Sequence, residues 1–239
     1  MKVNLINLEC ISKSFGNKFL LNQVSLGLSA GKRIGIVGRN GGGKSTLIKI
    51  LAGSIPPDNG KASISNKAIF GTLNQFDLVD SKIRVSEYVL GNLEEFEWAA
   101  NSEIRQIFSG LFGSDAKEFF NREFDSLSGG EKRRVGIAKL LIEPLNLILL
   151  DEPTNHLDVE GVAWLAKHLR ERKNLAIVVI THDRWFLDEI SESMWEVIDG
   201  SVEEYDGGYS AYVLAKAERS RQSSVENSKR NNLIRKELA

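Results

Sequence analysis

Gly38-Arg39-Asn40-Gly41-Gly42-Gly43-Lys44-Ser45 follows the compact apolar run Ile34-Gly35-Ile36-Val37 and fits the spacing G-x-x-x-x-G-K-[ST]. Such a loop is suited to holding phosphate. Its glycines let the backbone curl until successive N–H groups face the anion, and the positive end of the helix that follows points the same way. Lys44 then reaches the terminal phosphates of a nucleotide, and the Ser45 hydroxyl suits a Mg²⁺ ion bound to them. Gly38, Asn40, Gly41, Gly43, Lys44, Ser45 and Thr46 are the candidate nucleotide-binding residues. A strand must precede the loop and a helix must follow it. The sequence predicts that helix over Thr46 to Ala52, with Gly53 placed to stop it.

Two further segments place chemistry at the ends of apolar runs. Leu147-Ile148-Leu149-Leu150 leads into Asp151 and Glu152, and acids at the carboxyl end of a buried strand sit where ligands bind open α/β sheets. Asp151 is the expected metal partner, and Glu152 is placed to orient or deprotonate an attacking water. Ala176 to Ile180 leads into Thr181-His182-Asp183. A third segment, Leu127-Ser128-Gly129-Gly130-Glu131, reads as a turn ahead of a helix and offers a modest anion-binding nest.

The elements that must carry these residues follow from periodicity. Residues 1–30 read as short strands broken by a turn at Gly16-Asn17, with the alternation of an antiparallel sheet. The runs at 147–150 and 176–180 suit strands buried on both faces of a parallel sheet. Helices are predicted at 159–172 and 184–191, a loop at 56–60, and a closing hairpin around Asp199-Gly200 and Asp206-Gly207-Gly208. Leu78 to Glu143 has a helical pattern with scattered aromatics and reads as a subdomain inserted between strands. Residues 211–239 read as a polar, basic helix that packs weakly on its own domain. Cys10 is expected to be a small buried group, His168 a surface residue, His156 a loop-shaping residue, and Trp98, Trp164, Trp185 and Trp195 packing residues.

Composition narrows the class. The 239 residues carry a net charge of -1, so bulk electrostatics argue for neither nucleic acid nor membrane, and any basic surface must be local. No apolar run approaches the roughly 20 residues of a membrane span. The N-terminus alternates like a strand and lacks the pattern of a signal peptide. A single cysteine excludes an intrachain disulfide, and a cytoplasmic setting is expected.

With the Ser-Gly-Gly turn ahead of the acidic strand, and with Gln75 and His182 in order around them, the chain resembles the ATP-binding-cassette (ABC) ATPases over roughly residues 3–205. The resemblance implies an α/β P-loop cassette with a parallel core, an antiparallel β subdomain and an inserted helical subdomain. It implies ATP and Mg²⁺ as ligands. Phe15 would stack on adenine, and Gln75 would contact the metal and the attacking water. His182 would contact the γ-phosphate, and Asn155 to Asp158 would cross a dimer interface. Ser128, Gly129, Gly130 and Glu131 would serve ATP held by a second cassette. Catalysis would fall to Glu152, His182 and Gln75, and the metal to Ser45, Gln75 and Asp151.

LSGGE at 127–131, DEPTNHLD at 151–158 and THDRWFLD at 181–188 are similar to the ABC-F class, twin-cassette proteins without a membrane domain that mostly act on the ribosome. On that resemblance residues 1–210 form one nucleotide-binding domain, with 1–76 and 144–210 as the ATP-binding core and 77–143 as the helical subdomain. Residues 211–239 form a truncated basic helical linker, suited to rRNA phosphates. The single set of motifs implies the N-terminal cassette of a longer protein, completed by a second cassette on the same full-length chain or in a homodimer. The interval from Gln75 to Leu127 leaves the helical arm of some members short or absent. The competing readings are the ATP-binding subunit of a membrane transporter and a DNA-associated member of the same class.

Overall fold

The computed structural model describes residues 3–16, 18–73, 82–91, 100–113 and 116–222. In chain order its elements are β1 (Asn4–Phe15), β2 (Lys18–Ser29), β3 (Arg33–Gly38), α1 (Lys44–Leu51), β4 (Asn59–Ile64) and β5 (Phe70–Leu73). Then come α2 (Val85–Leu90), α3 (Ser102–Phe112), α4 (Ala116–Asn121), α5 (Gly129–Ile142), β6 (Leu147–Asp151) and α6 (Val159–Glu171). The chain continues through β7 (Ala176–Ile180), α7 (Arg184–Ile190), β8 (Ser193–Ile198) and β9 (Ser201–Asp206), and a helix α8 over residues 209–222.

Two sheets result. One is antiparallel, in the order β2-β1-β4, and the other has six strands in the order β5-β6-β7-β3-β8-β9. In the larger sheet every pairing is parallel except that of β8 with β9. The apolar runs behave as a parallel sheet requires, because alternate residues are buried on opposite faces. Leu147, Leu149, Ala176, Val178 and Ile180 pack with α1 and the antiparallel sheet. Ile148, Leu150, Ile177 and Val179 pack with the helical segments, among them Ile104, Phe108, Val135 and Leu165.

The N-terminal strands are longer than their sequence suggests, at 12 residues each. Register shifts absorb the breaks in alternation. Leu8 and Ile11 both point inward while Glu9 and Cys10 between them are exposed, which is the signature of a bulge. Cys10, at φ 46, is therefore exposed and not buried. The predicted loop at 56–60 is shorter, because Asn59 and Gly60 already belong to β4. The helix after the phosphate loop begins at Lys44, two residues early, and Gly53 ends it at φ 67. Asp199 and Gly200 both take positive φ, as a two-residue hairpin turn demands. His168 is half-buried against Trp164, with ring centroids 4.9 Å apart, and burial pushes its pKa down. Trp195 and Trp164 do pack, but Trp185 is 50 % exposed. Trp98, like Gln75, lies outside the described residues.

The start of the basic tail packs firmly and not weakly. Tyr212 on α8 is 7 % exposed and meets Tyr205 edge-on, with centroids 5.1 Å apart. Its hydroxyl donates to Glu196 at 2.9 Å, and Lys216 forms an ion pair with the same carboxylate. Glu196 is 4 % exposed, and a buried carboxylate is tolerated only when it is paired in this way. The hydrogen bond to Glu196 raises the pKa of Lys216. Arg219 adds a 3.0 Å contact to Glu203 and lies over the Tyr205 ring. Tyr212→Ala removes a buried ring and one of the hydroxyls that Glu196 accepts from. It is expected to lower the unfolding free energy by about 3 kcal/mol, read from the midpoint of urea unfolding. An unchanged midpoint would mean that α8 adds nothing to the domain.

Candidate functional site

The carboxyl ends of β3, β6 and β7 lie side by side on one edge of the parallel sheet. Each of these strands ends in one of the segments singled out by residue type. Gly38 closes β3 at φ 143, beside Val197 of β8. A Cβ there would lie 2.4 Å from the Val197 carbonyl oxygen, so only glycine allows the chain to turn away from the sheet. Gly43 caps α1 at φ 107, and a Cβ there would lie 2.8 Å from the Leu20 carbonyl oxygen of β2. Between them Gly41 is exposed, with open space where a side chain would be. Lys44, only 9 % exposed, has its Nζ held by the carbonyls of Gly38 at 3.0 Å and Arg39 at 3.1 Å. Ser45 and Asn40 are exposed and Thr46 half-buried at the same mouth.

Phe15 ends β1 and is 57 % exposed. Its hairpin is anchored by a residue that the sequence did not single out. Asp58 accepts from the Ser14 backbone N–H at 2.8 Å, from the Ser14 hydroxyl at 3.0 Å and from Lys13 Nζ at 2.6 Å. These bonds, that from Lys13 first, lower the Asp58 pKa from 3.8 to about 2. In sequence Asp58 reads only as a turn residue after two prolines.

At the end of β6, Asp151 and Glu152 are both half-buried. Glu152 takes φ 53, and its N–H donates to the Ile180 carbonyl at 2.7 Å. Its carboxylate faces His182, with Oε1 3.4 Å from Nε2 and Oε2 3.4 Å from the backbone N. The side chain of His182 is 69 % exposed. The Thr154 and Thr181 hydroxyls are 2.7 Å apart and tie the two loops together. A cavity of about 480 Å³ beside Gly38, Lys44 and His182 continues to Glu196, Tyr212 and Lys216.

Ser128 and Gly129 are exposed at the start of α5, away from the phosphate loop in sequence and on a different element. Ser128 and Glu131 form a reciprocal capping box, and Glu131 also pairs with Arg122 at 2.8 Å. Burial alone would raise the Glu131 pKa, but the bonds from Ser128 and Arg122 outweigh it and the pKa is lowered. His156, at φ 68, lies against Gly130, where an added Cβ would sit 3.0 Å from the His156 Cβ. The structure thus brings Asp151, Glu152 and His182 to the sheet edge that carries the glycine loop, and puts the Ser128 turn on a different element, the start of α5. Asp58, Thr154 and Arg133, whose side chain reaches the Asp151 and Glu152 carbonyls, were missed. Arg133 sits in the run Glu131-Lys132-Arg133-Arg134, which reads as a solvated face.

The donors fit the expected ligands. Among the described residues no group of three His, Cys, Asp or Glu converges as a metal cage. One hydroxyl and one carboxylate, Ser45 and Asp151, are instead the hard oxygen donors that suit a Mg²⁺ which takes its other ligands from water and phosphate.

A glycine loop between β3 and α1, flanked by the β6 acids, defines a P-loop nucleotide-binding cassette. The ABC transporter family matches residues 21–155, more than half of the chain, and the chain belongs to that family. It is 34% identical to energy-dependent translational throttle protein EttA of Mycobacterium tuberculosis, over 98% of this chain and 48% of that protein. It is 32% identical to the uncharacterized ABC transporter ATP-binding protein YfmR of Bacillus subtilis, over 99% of this chain and 43% of that one. It is also 32% identical to the tylosin resistance ATP-binding protein TlrC of Streptomyces fradiae, over 89% of this chain and 46% of that one. The chain therefore spans less than half the length of these relatives. Among solved structures, an RNase-L Inhibitor superposes with a TM-score of 0.71 at 27% identity, over 87% of this chain and 40% of that one. A dimeric ATP-binding cassette bound to ADP and Pi superposes with a TM-score of 0.70 at 23% identity, over 84% of this chain and 98% of that one, and shares the fold. Among the described residues no helix is long and apolar enough to cross a membrane.

Asp58→Ala is expected to free the Phe15 hairpin and weaken ATP binding by about three- to tenfold, the scale of one or two lost hydrogen bonds, as measured by nucleotide titration. The depressed Asp58 pKa means that its anchoring is complete above pH 3.8 and is lost as pH falls through about 2, a midpoint that carboxyl NMR would read directly.

Proposed function

We propose that this chain is the N-terminal cassette of an ABC-F protein that binds and hydrolyses ATP and acts on the ribosome. The observation that carries the reading is the meeting of Glu152 and His182, at 3.4 Å, on the sheet edge that also holds Lys44. Lys44 and the N–H groups of Gly41 and Gly43 bind the phosphates. Ser45 and Asp151 hold Mg²⁺, which when bound neutralises charge on the phosphate oxygens. Glu152 accepts the proton of the attacking water, and His182 donates to the transferred phosphate. Gln75 completes this set in our reading, although it lies outside the described residues.

Ser128 and Gly129 are exposed at the start of α5 and Gly130 is half-buried beside them, and with Glu131 we assign them to ATP held by a second cassette arranged head to tail. The lengths of the relatives support a second cassette on the same full-length chain. We further assign residues 1–210 to one nucleotide-binding domain with 77–143 as its helical subdomain, and 211–239 to the linker. The names of two relatives, a translational throttle and a tylosin resistance protein, support a role in translation or in ribosome protection against an antibiotic. Lys216 and Arg219 are paired with Glu196 and Glu203, so Arg221 and the basic residues among 223–239 are the ones that suit rRNA phosphates.

The 239-residue cassette alone is expected to bind Mg-ATP and to hydrolyse it slowly while monomeric. Rapid turnover by a species that sediments as a monomer would exclude a composite site. Glu152→Gln removes the base but leaves the phosphate loop intact, so the full-length variant should retain ATP and stay bound to ribosomes. Co-sedimentation with ribosomes in the presence of ATP checks this, and absence from the ribosomal pellet would count against the translation role.

A further inference from the structure

Arg133 lies on α5, two residues past Glu131, and its guanidinium turns back into the cassette. Within the described residues, both of its hydrogen bonds go to main-chain carbonyls at the end of β6, to Asp151 and, at 3.0 Å, to Glu152. Glu152 needs such support. A side-chain-bearing residue at φ 53 is strained and persists only when its surroundings hold it. Two main-chain bonds provide this: the N–H donates to Ile180, and the carbonyl accepts from Arg133. The same conformation sets the direction in which the carboxylate leaves the backbone, and here that direction is toward His182.

We infer that Arg133 is a positioning residue that fixes the Glu152 backbone for catalysis and couples the Ser128 turn of this cassette to its own carboxylate. The inference rests on the reading of Glu152 as the base. Its consequence comes from the placement of α5. The first residues of that helix, Ser128 and Gly129, face outward, toward ATP held by a second cassette in our reading. Arg133, one turn later on the same rigid element, grips the carbonyl of the residue that acts on the cassette's own ATP. A shift of α5 on engaging the partner is therefore felt at Glu152, so that each composite site influences the other through one side chain.

The test uses the full-length protein, with kcat, Mg-ATP affinity and thermal melting measured on the same preparations. Arg133→Ala should lower kcat by about 10- to 100-fold, the scale of a misplaced catalytic group, with Mg-ATP affinity within about threefold of wild type. Arg133→Lys should recover part of the loss, since an ammonium reaches at least one of the carbonyls. In the Glu152→Gln background Arg133→Ala should cost nothing further, because residues that act as a unit are non-additive. A wild-type kcat for Arg133→Ala alongside a silenced Glu152→Gln overturns the inference alone and leaves the base assignment standing. Joint loss of binding, melting temperature and turnover that Lys does not restore also overturns it, in favour of a packing role. A wild-type kcat for Glu152→Gln removes the base assignment and the inference with it.

Discussion

Parallel strands deliver their carboxyl ends to the same edge of a sheet, and this constraint organises the molecule. Because β3, β6 and β7 run together, the glycine loop, the paired acids and the Thr-His-Asp segment emerge side by side although more than a hundred residues separate the first from the others in the chain. The sheet can run parallel only because both faces are covered. Leu149 and Val178 look toward α1 and the antiparallel sheet, and Ile148 and Val179 look toward the helical segments.

Close backbone approach then sets the positions of the ligand-facing groups. Gly38 lies against the Val197 carbonyl and Gly43 against that of Leu20, so β8 and β2 both buttress the phosphate loop. The contact at Val197 reaches further. Its neighbour on β8 is Glu196, the buried carboxylate that Tyr212 and Lys216 of α8 lock in place. Helix α8 is thus joined, through two adjacent residues of one strand, to the glycine loop, and the cavity between them runs from Lys44 to Lys216.

Much of this was legible in the residues. The order of motifs gave the α/β class, and the family assignment agrees with it. The continuous apolar runs at 147–150 and 176–180 marked the buried strands because burial on both faces leaves no room for polar alternation. What escaped were features whose signal is not periodic. The bulge at Cys10 inverts the facing of two residues and cannot be read from alternation. Tyr212 and Lys216 look like members of a solvated basic helix until Glu196, 20 residues back from Lys216, is seen to be buried beneath them. Asp58 resembles any turn acid, and Arg133 any member of a charged run.

The sequence by itself determined the chemistry: which residues could hold phosphate, bind a metal or accept a proton. Those capacities reside in side-chain type and in short spacings, which a linear pattern preserves. Only the tertiary structure decided what holds them in place. The Asp58 anchor on Ser14 and Lys13, the left-handed Glu152 with its carboxylate turned to His182, and Arg133 reaching its carbonyl all join residues distant in the chain. Such contacts depend on how strands and helices pack, and no local spacing encodes them.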